Sequence, residues 1–200
     1  MITIVQARMA STRLPGKVLA RLGNMTVLEH VIARVREADI GALVIATTWD
    51  RDDDQIAQVA SMLGIDCFRG HGRDVLQRFR DCNRKHEGDP IVRVTADCPF
   101  LDPGLLAQVA AKLQAGGFDY VGVKGAPDGY HQEAFTAAAL KLANALATDQ
   151  FDREHVVTYM LSRPAMFRQG WVQAAIEGPP VTLDTAEDLE RLRKLVARAA

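Results

Sequence analysis

The chain has 200 residues, of which 48% are hydrophobic and 24% charged, a composition typical of one globular domain over residues 1–200. Its formal net charge of -1 argues against a general nucleic-acid binder, because such proteins usually carry a basic surplus. No apolar run is long enough to cross a bilayer, and no basic leader precedes an apolar segment at the N-terminus. Three cysteines without CxxC spacing suggest neither a disulfide framework nor a zinc site, so we expect a cytoplasmic protein.

Short β-rich runs alternate with longer amphipathic segments in the first part of the chain. Strands are predicted at 2–6, 43–48, 66–68 and 91–95, and helices at 26–38, 52–63, 73–86 and 103–114. This alternation predicts an α/β fold with a mostly parallel sheet that is covered on both faces. Ligands bind to such sheets at the carboxyl ends of the strands, so polar residues directly after strands are the first candidates for a site.

The alternation is looser after Gly117. Strands are predicted at 119–123, 133–136 and 181–183, and helices at 137–147, 153–161 and 186–199. We consider residues 119–180 a possible acceptor-binding or dimerisation subregion of the same domain.

Three cations and two hydroxyls follow the first strand: Arg8, Ser11, Thr12, Arg13 and Lys17. Basic side chains and exposed backbone N–H groups form strong charge-assisted hydrogen bonds to phosphate, so this loop is a candidate triphosphate site. The residue after the lysine carries no hydroxyl, so the loop is not the GxxxxGK[ST] motif. A solvated basic turn is the alternative.

The segment QARMASTRLPGKVL resembles the N-terminal signature of the spore-coat polysaccharide family of cytidylyltransferases, which is related to the acylneuraminate and KDO cytidylyltransferases. Further matching blocks occur in the family's order: IATTWDRDDDQI, FRGHGRDVLQRF, IVRVTADCPFLDP, PDGYHQEAF, DREHVVTYM and VTLDTAEDLERL. The resemblance implies a three-layer, Rossmann-like nucleotide-diphospho-sugar transferase fold. It also implies a reaction in which a nucleoside triphosphate, CTP in the family, and a sugar acid give a nucleotide-activated sugar and pyrophosphate with Mg²⁺.

The same resemblance assigns roles to the first loop and to the second strand. It implies that Arg8 and Lys17 grip the triphosphate and that Ser11, Arg13 and Gly16 shape the loop. In relatives the segment matching ATTWDRDDDQI lies near the base. The predicted nucleotide-binding residues are Ala7, Arg8, Ser11, Arg13, Gly16, Lys17, Thr47 and Thr48.

Two aspartates, Asp97 and Asp184, each follow a predicted strand. Carboxylates that converge at that edge of the sheet can share one hydrated cation such as Mg²⁺. From spacing alone a capping role is favoured, with Asp97 capping the turn before Pro99 and Asp184 as the N-cap of the last helix. The resemblance implies instead that both coordinate magnesium and that Asp97 is catalytic together with Arg8 and Lys17.

Three consecutive carboxylates, Asp52, Asp53 and Asp54, precede a predicted helix. Negative charge in a first helical turn complements the helix dipole, so a solvated helix start is the favoured interpretation.

The remaining polar blocks suggest an acceptor pocket lined by Glu133, Arg153, Glu154 and His155, and a structural ion-pair network explains these residues equally well. Relatives commonly have an aspartate where this chain has His131, which changes the charge that an acceptor would meet. Two alternatives to the main hypothesis stay open. One is a transferase using another triphosphate or a sugar phosphate, and the other is a non-catalytic nucleotide-binding protein. Relatives are often homodimers, so a homodimer is a further expectation.

Overall fold

The computed structural model describes the backbone of residues 1–199 and the side chains of residues 1–197, and nine strands lie in this part of the chain. In chain order the strands are β1 (Ile2–Gln6), β2 (Arg21–Leu22), β3 (Met25–Thr26), β4 (Ala42–Thr48), β5 (Asp66–Gly70), β6 (Ile91–Thr95), β7 (Tyr120–Lys124), β8 (Glu133–Phe135) and β9 (Gln169–Gln173). The α-helices are α1 (Val27–Ala38), α2 (Asp54–Met62), α3 (Val75–His86), α4 (Pro103–Gln114), α5 (Ala137–Leu146), α6 (Gln150–His155), α7 (Thr158–Leu161) and α8 (Ala186–Ala199).

The main sheet has the strand order β5-β4-β1-β6-β8-β7-β9. Strand β1 pairs in parallel with β4 and β6, and the pairs β4–β5 and β7–β9 are also parallel. Within this sheet β8 alone runs antiparallel to its neighbours, β6 and β7. The prediction of an α/β fold with a mostly parallel sheet is therefore confirmed.

Helices cover the main sheet on both faces and bury two separate apolar layers. On one face α1, α2 and α4 pack around Val5, and on the other α3, α5 and α7 pack around Ile4. A fully buried aliphatic side chain contributes about 1.5–3 kcal/mol relative to an exposed one, so these layers are the main source of stability. Because β1 faces both layers, residues 2–5 are all buried.

A third apolar cluster lies at the edge of the sheet where the parallel strands end. It joins the β2–β3 hairpin to α8 and to the segment that precedes α8, through Leu22, Val27, Val181, Leu183 and Leu192. The cluster fixes the chain on either side of Asp184, because Leu183 is buried within it.

The predicted strand at 181–183 is wrong. This segment lies on the loops at the carboxyl edge of the sheet instead of beside a strand, so it forms isolated hydrogen bonds. The Val181 N–H donates to the Asp128 carbonyl at 2.8 Å, and the Leu183 N–H donates to the Asp97 carbonyl at 2.9 Å.

The single helix predicted at 153–161 is also wrong, because it is divided into α6 and α7 at Val156. Val156 has φ 65° and ψ -58°, and the Val157 N–H donates to the His155 carbonyl at 2.7 Å. These values describe a γ-turn of the strained kind. Complete burial of the Val156 side chain holds it in place.

The β2–β3 hairpin and β9 are absent from the elements predicted from the sequence. The hairpin has a short turn signal, Gly23-Asn24, and Gly23 takes φ 65° there. The edge strand β9 pairs with β7, and its sequence QGWVQ places two apolar residues side by side, so it lacks the apolar–polar alternation that predicts a strand. Among residues 1–199 no helix combines the length and the apolarity needed to cross a bilayer. Cys67, Cys82 and Cys98 are free thiols.

Gly129→Ala should lower the free energy of unfolding by more than the about 1–2 kcal/mol that a left-handed backbone costs alanine. Gly129 has φ 100°, and a Cβ there would lie 2.7 Å from Val181 Cγ2 and 2.8 Å from the Thr182 nitrogen. Gly116→Ala is the matched control, since Gly116 has φ 89° with no atom within 4 Å of an added Cβ. Urea unfolding of both variants measures the difference, and equal losses would contradict the predicted clash.

Candidate active site

A cleft of ≈ 790 Å³ opens at the carboxyl edge of the sheet. It is lined by the loops that follow β1, β5 and β6, by the start of α3, by the end of α6 and by Asp184. This is the edge at which open parallel sheets bind ligands, because several loops from adjacent strands meet there.

The loop after β1 (residues 7–17, the basic loop) forms one wall of the cleft and is closed by backbone hydrogen bonds. The Ala7 N–H donates to the Ala46 carbonyl at 3.2 Å, and the Gly16 N–H donates to the Met9 carbonyl at 2.9 Å. Gly16 has φ 73°, a conformation that glycine adopts without steric cost. The two ends of the basic loop are therefore held together, with Lys17 directly after the closing hydrogen bond.

The ammonium group of Lys17 is the point at which Asp97 and Asp184 meet. Lys17 Nζ lies 2.7 Å from Asp97 Oδ2 and 2.9 Å from Asp184 Oδ1, and it donates to the Leu183 carbonyl at 2.8 Å. Burial lowers the pKa of Lys17, but its contacts with Asp97 and Asp184 outweigh burial and raise that pKa above its ordinary value. Burial likewise raises the pKa of Asp97, and Lys17 reverses this and holds it below its ordinary value. Lys17 is therefore protonated and Asp97 ionised at neutral pH.

Asp184 is not the N-cap of α8. The cap is Thr185, one residue later than predicted: the Asp188 N–H donates to Thr185 Oγ1 at 3.2 Å, and Asp188 Oδ2 accepts from the Thr185 N–H at 2.9 Å. The Asp184 carboxylate is thus left to face the cleft, where Arg13 Nη2 is a second partner at 2.8 Å. The Asp97 carboxylate contacts Lys17 and the Cys98 thiol and caps no turn among the described residues.

Arg8 also lines the cleft and is paired with Glu154. Arg8 Nη2 is 3.2 Å from Glu154 Oε1, and Arg8 Nη1 donates to the Gly72 carbonyl at 3.4 Å. Both side chains are about two-fifths exposed, at 38% and 42%. An ion pair with that much exposure contributes little to stability, so Arg8 can exchange Glu154 for an anionic ligand at low cost.

The structure places most predicted nucleotide-binding residues at the cleft, and their roles stay predictions. Those that line it are Ala7, Arg8, Ser11, Arg13 and Lys17. Gly16 closes the basic loop through its hydrogen bond to Met9 and is not among the cleft-lining residues. Thr47 and Thr48 are 0% and 1% exposed, and the structure does not bring either side chain to the cleft.

The three consecutive carboxylates at the start of α2 have different environments. Asp52 is exposed and lines the cleft, and Asp54 forms a surface ion pair with Arg69. Asp53 is 1% exposed, and it accepts hydrogen bonds from Met9 and Thr48. The interpretation of all three as a solvated helix start is therefore wrong for Asp53.

The four predicted acceptor-binding residues divide into two pairs. Glu154 and His155 line the cleft, at the end of α6 and next to the strained turn at Val156. Backbone strain of this kind is often found at functional sites.

Glu133 and Arg153 are not among the cleft-lining residues. Glu133 Oε2 lies 2.6 Å from Arg93 Nη1, and Arg153 Nε lies 2.5 Å from Asp74 Oδ2. Arg153 also donates to the carbonyls of Asn144 and Ala147. Of the two interpretations that the sequence allowed, the geometry favours a structural ion-pair network for this second pair.

Three arginines that line the cleft were not predicted from the sequence: Arg73, Arg78 and Arg93. Arg78 is 1% exposed and donates to the His71 carbonyl at 2.7 Å, and burial together with the nearby Arg8 lowers its pKa to about 10. Its sequence signal was a charged residue on the apolar face of α3, next to Val75. Arg73 follows a strand end and could have been found by the rule that identified the basic loop.

The charged groups that line the cleft have a positive surplus. The cations are Arg8, Arg13, Lys17, Arg73, Arg78 and Arg93, and the carboxylates are Asp52, Asp97, Glu154 and Asp184. Six cations against four carboxylates attract a small polyanion to the cleft, although the whole chain has a net charge of -1.

This geometry agrees with the comparison of the chain with known proteins. A model of the cytidylyltransferase family matches residues 2–196, so the chain belongs to the cytidylyltransferase family. It is 35% identical to the spore coat polysaccharide biosynthesis protein SpsF of Bacillus subtilis, covering 98% of this chain and 86% of that protein. It is 26% identical to a 3-deoxy-manno-octulosonate cytidylyltransferase of Tolumonas auensis, covering 98% of this chain and 96% of that protein. The protein is accordingly a nucleotidyltransferase.

Solved structures show the same fold. A cytidylyltransferase from Leptospira borgpetersenii superposes with a TM-score of 0.93 at 29% identity, covering 98% of this chain and 87% of that one. A CMP:2-keto-3-deoxy-manno-octonic acid synthetase solved with CTP gives 0.81 at 17% identity, covering 100% and 99%. Rv0371c of Mycobacterium tuberculosis, solved with manganese, gives 0.72 at 19% identity, covering 96% and 97%. The nucleotidyltransferase fold with its Rossmann-like sheet is thereby confirmed.

Lys17→Met should destabilise the fold strongly, because it leaves the carboxylates of Asp97 and Asp184 close together without their buried cation. Removing one partner of a buried ion pair lowers the free energy of unfolding by about 3–5 kcal/mol. This value is an upper limit for Lys17→Met, because Asp97 and Asp184 are 24% and 28% exposed and water screens part of their charge. Arg13→Met is the matched control: it removes an Asp184 partner that is 63% exposed and should cost at most about 1 kcal/mol. Denaturant unfolding at neutral pH measures the free energy of unfolding of both variants. If Lys17→Met loses no more stability than Arg13→Met, the two carboxylates do not depend on the Lys17 cation.

Proposed function

We propose that this nucleotidyltransferase transfers a CMP group from CTP to the anomeric hydroxyl of a sugar acid, for the synthesis of a cell-surface polysaccharide. The observation that carries the proposal is the convergence of Asp97 and Asp184 on one cation, next to the basic loop and within a positively charged cleft. Membership of the cytidylyltransferase family and the likeness to SpsF support the choice of CTP and of a polysaccharide precursor.

The two aspartates fit a divalent cation. Asp97 Oδ2 and Asp184 Oδ1 both lie within 2.9 Å of a single atom, Lys17 Nζ, so they are close enough to share one ion. Among the described residues no group of three or more His, Cys, Asp or Glu side chains could hold a metal. Mg²⁺ suits a site with two carboxylates, because it usually takes its other ligands from water and substrate phosphates. The manganese bound in Rv0371c supports a divalent cation in this fold.

The chain's own residues supply the rest of the chemistry. Arg8 and Lys17 donate to phosphate oxygens of the bound CTP, each leaving a carboxylate that it contacts in this structure. The anomeric oxygen then bonds to the α-phosphorus, the bond to pyrophosphate breaks, and the hydroxyl proton passes to water. A cation held by Asp97 and Asp184 would neutralise the charge that develops on the transferred group. Ser11, Arg13 and the other basic-loop residues keep the triphosphate in line.

The acceptor is proposed to bind at the α6 side of the cleft, between Glu154, His155 and the missed cation Arg93. Arg93 already pairs with Glu133 at 2.6 Å, so a carboxylate on the acceptor would share this guanidinium group with Glu133. His131, at the position where relatives commonly have an aspartate, is not among the cleft-lining residues and lies 3.6 Å from Asp128, so this substitution leaves the proposed acceptor site intact.

Pyrophosphate release tests the substrate pair directly. The protein is mixed with each of the four nucleoside triphosphates and with Mg²⁺ or Mn²⁺, together with either sugar acids or sugar phosphates. We expect pyrophosphate with CTP and a sugar acid. Turnover with another triphosphate or with a sugar phosphate would replace the proposed pair. Binding of CTP without turnover across a broad acceptor pool would favour the non-catalytic homologue, and an oligomer measurement in the same buffer tests the expected homodimer.

Asp97→Asn and Asp184→Asn should each reduce cation-dependent turnover by at least about 10²-fold, because asparagine keeps the shape and removes the charge that a hard cation needs. Asp119→Asn is the control: Asp119 is 24% exposed, as Asp97 is, but it pairs with Arg168 at 3.0 Å and does not line the cleft. It should lower the melting temperature and leave turnover at parental rates. Initial rates against Mg²⁺ concentration provide the measurement, and parental rates for both cleft variants at limiting Mg²⁺ would exclude the shared cation.

A further inference from the structure

Asp53 is a buried carboxylate with three neutral hydrogen-bond donors. Its Oδ1 accepts from the Met9 N–H at 2.7 Å, and its Oδ2 accepts from the Thr48 N–H at 3.2 Å and from Thr48 Oγ1 at 2.5 Å. The residue is 1% exposed and forms no ion pair within 4.0 Å among the described residues, although the charge of the buried Arg78 is close enough to interact with it. An ionised group in such a place is costly unless its hydrogen bonds are complete, so these three donors are what holds it there.

Only a carboxylate can satisfy this arrangement. The three donors require two acceptor oxygens, one on each side, and an ionised aspartate has acceptors only. Asparagine has a single carbonyl oxygen, and its amide would place a donor against either the Met9 N–H or the Thr48 N–H. Asparagine at position 53 would therefore have nearly the same volume as aspartate but could not accept all three hydrogen bonds.

The Met9 amide connects Asp53 to both ends of the basic loop. Met9 directly follows Arg8, and its carbonyl accepts the Gly16 N–H at 2.9 Å, one residue before Lys17. The hydrogen bond from Met9 to Asp53 holds the Met9 peptide in place. It therefore also positions Arg8, which precedes Met9, and the Gly16–Met9 hydrogen bond that closes the loop. Asp53 itself is not among the residues that line the cleft.

We propose that Asp53 is a positioning residue, whose carboxylate anchors the basic loop to β4 in the shape that binds the triphosphate. This proposal rests on the proposed function for its ligand, since the loop is taken to bind CTP. It assigns Thr48, whose backbone and hydroxyl hold the same carboxylate, to the anchor and not to the base. The neighbouring Asp54 has no part in it, because its carboxylate pairs with Arg69 at 2.5 Å and is 55% exposed.

Asp53→Asn and the matched control Asp54→Asn test the anchor. In Asp53→Asn we expect the KM for CTP to rise at least about tenfold while kcat at saturating CTP changes less, since a misplaced loop weakens triphosphate binding before it affects the bound reactants. Amide hydrogen exchange at Met9 should be at least about tenfold faster, because its buried acceptor is lost. Asp54→Asn should match the parent in all three quantities. An unchanged KM, or an unchanged exchange rate at Met9, overturns the proposal.

A second pair of variants covers the case in which Asp53→Asn does not fold. Thr48→Val removes one donor to the carboxylate, and Thr3→Val is its control, since the buried Thr3 hydroxyl has no partner. Thr48→Val should raise the KM for CTP, and Thr3→Val should not; equal values overturn the anchor. If the parent releases no pyrophosphate, the proposed function fails. Direct CTP binding and the Met9 exchange rate still decide the positioning role, with the same expected and contrary outcomes.

Discussion

The ammonium group of Lys17 joins three parts of the chain that are far apart in sequence. Its two carboxylate partners, Asp97 and Asp184, are 80 and 167 residues away, in the loop after β6 and in the segment before α8. Two carboxylates at one place repel each other when they are partly buried, so a cation between them is a condition for this arrangement. The cation therefore affects three features that each lie next to one of the three charged groups. These features are the third apolar cluster, the position of α8 and the wall of the cleft.

Carboxylates serve two opposite purposes around the basic loop. Asp97 and Asp184 face the cleft and are neutralised by a cation, so they remain able to exchange one cation for another. Asp53 lies behind the loop and is satisfied by neutral N–H and O–H groups, so it has no cation to exchange. The difference lies in the partners and not in the residue type. It explains why one aspartate can belong to an anchor and the other two to a reaction site.

Periodicity and turn chemistry predicted most of the fold, and they failed where tertiary contacts decide. Apart from the short β2–β3 hairpin, the strands and helices up to α4 were predicted with small errors at their ends, since each carries its own pattern of buried and exposed residues. The segment 181–183 has the composition of a strand, but its neighbours are loops. Val156 lies within a helical pattern, and its burial between α6 and α7 forces a turn that no local preference favours.

The candidate site was predictable to a similar extent. The basic loop follows β1 and Asp97 follows β6, so the rule of strand ends identified both, whereas Asp184 was identified through a predicted strand that does not form. The role of Asp53 could not be predicted, because three consecutive aspartates are equivalent in sequence and only the fold buries one of them. The same limit applies to Arg153, whose partners Asp74 and Asn144 lie in two other helical regions.

The cations of the cleft are held by their protein partners with different strengths, so they differ in how easily they can turn to a bound polyanion. Arg8 is in an exposed pair with Glu154 that contributes little, so it can turn to a phosphate at almost no cost. Lys17 is buried between two carboxylates and can leave them only if another cation takes its place, which couples phosphate binding to cation binding. Arg78 is buried without an ion pair among the described residues, and the fall of its pKa to about 10 reflects that cost. A polyanion in the cleft lowers the free-energy cost of keeping this arginine charged. Because such a ligand binds the folded protein, it raises the free energy of unfolding by an amount that grows with its affinity and concentration. A polyanion in the cleft and a cation between Asp97 and Asp184 would therefore complete the pairing of the charged groups that line it.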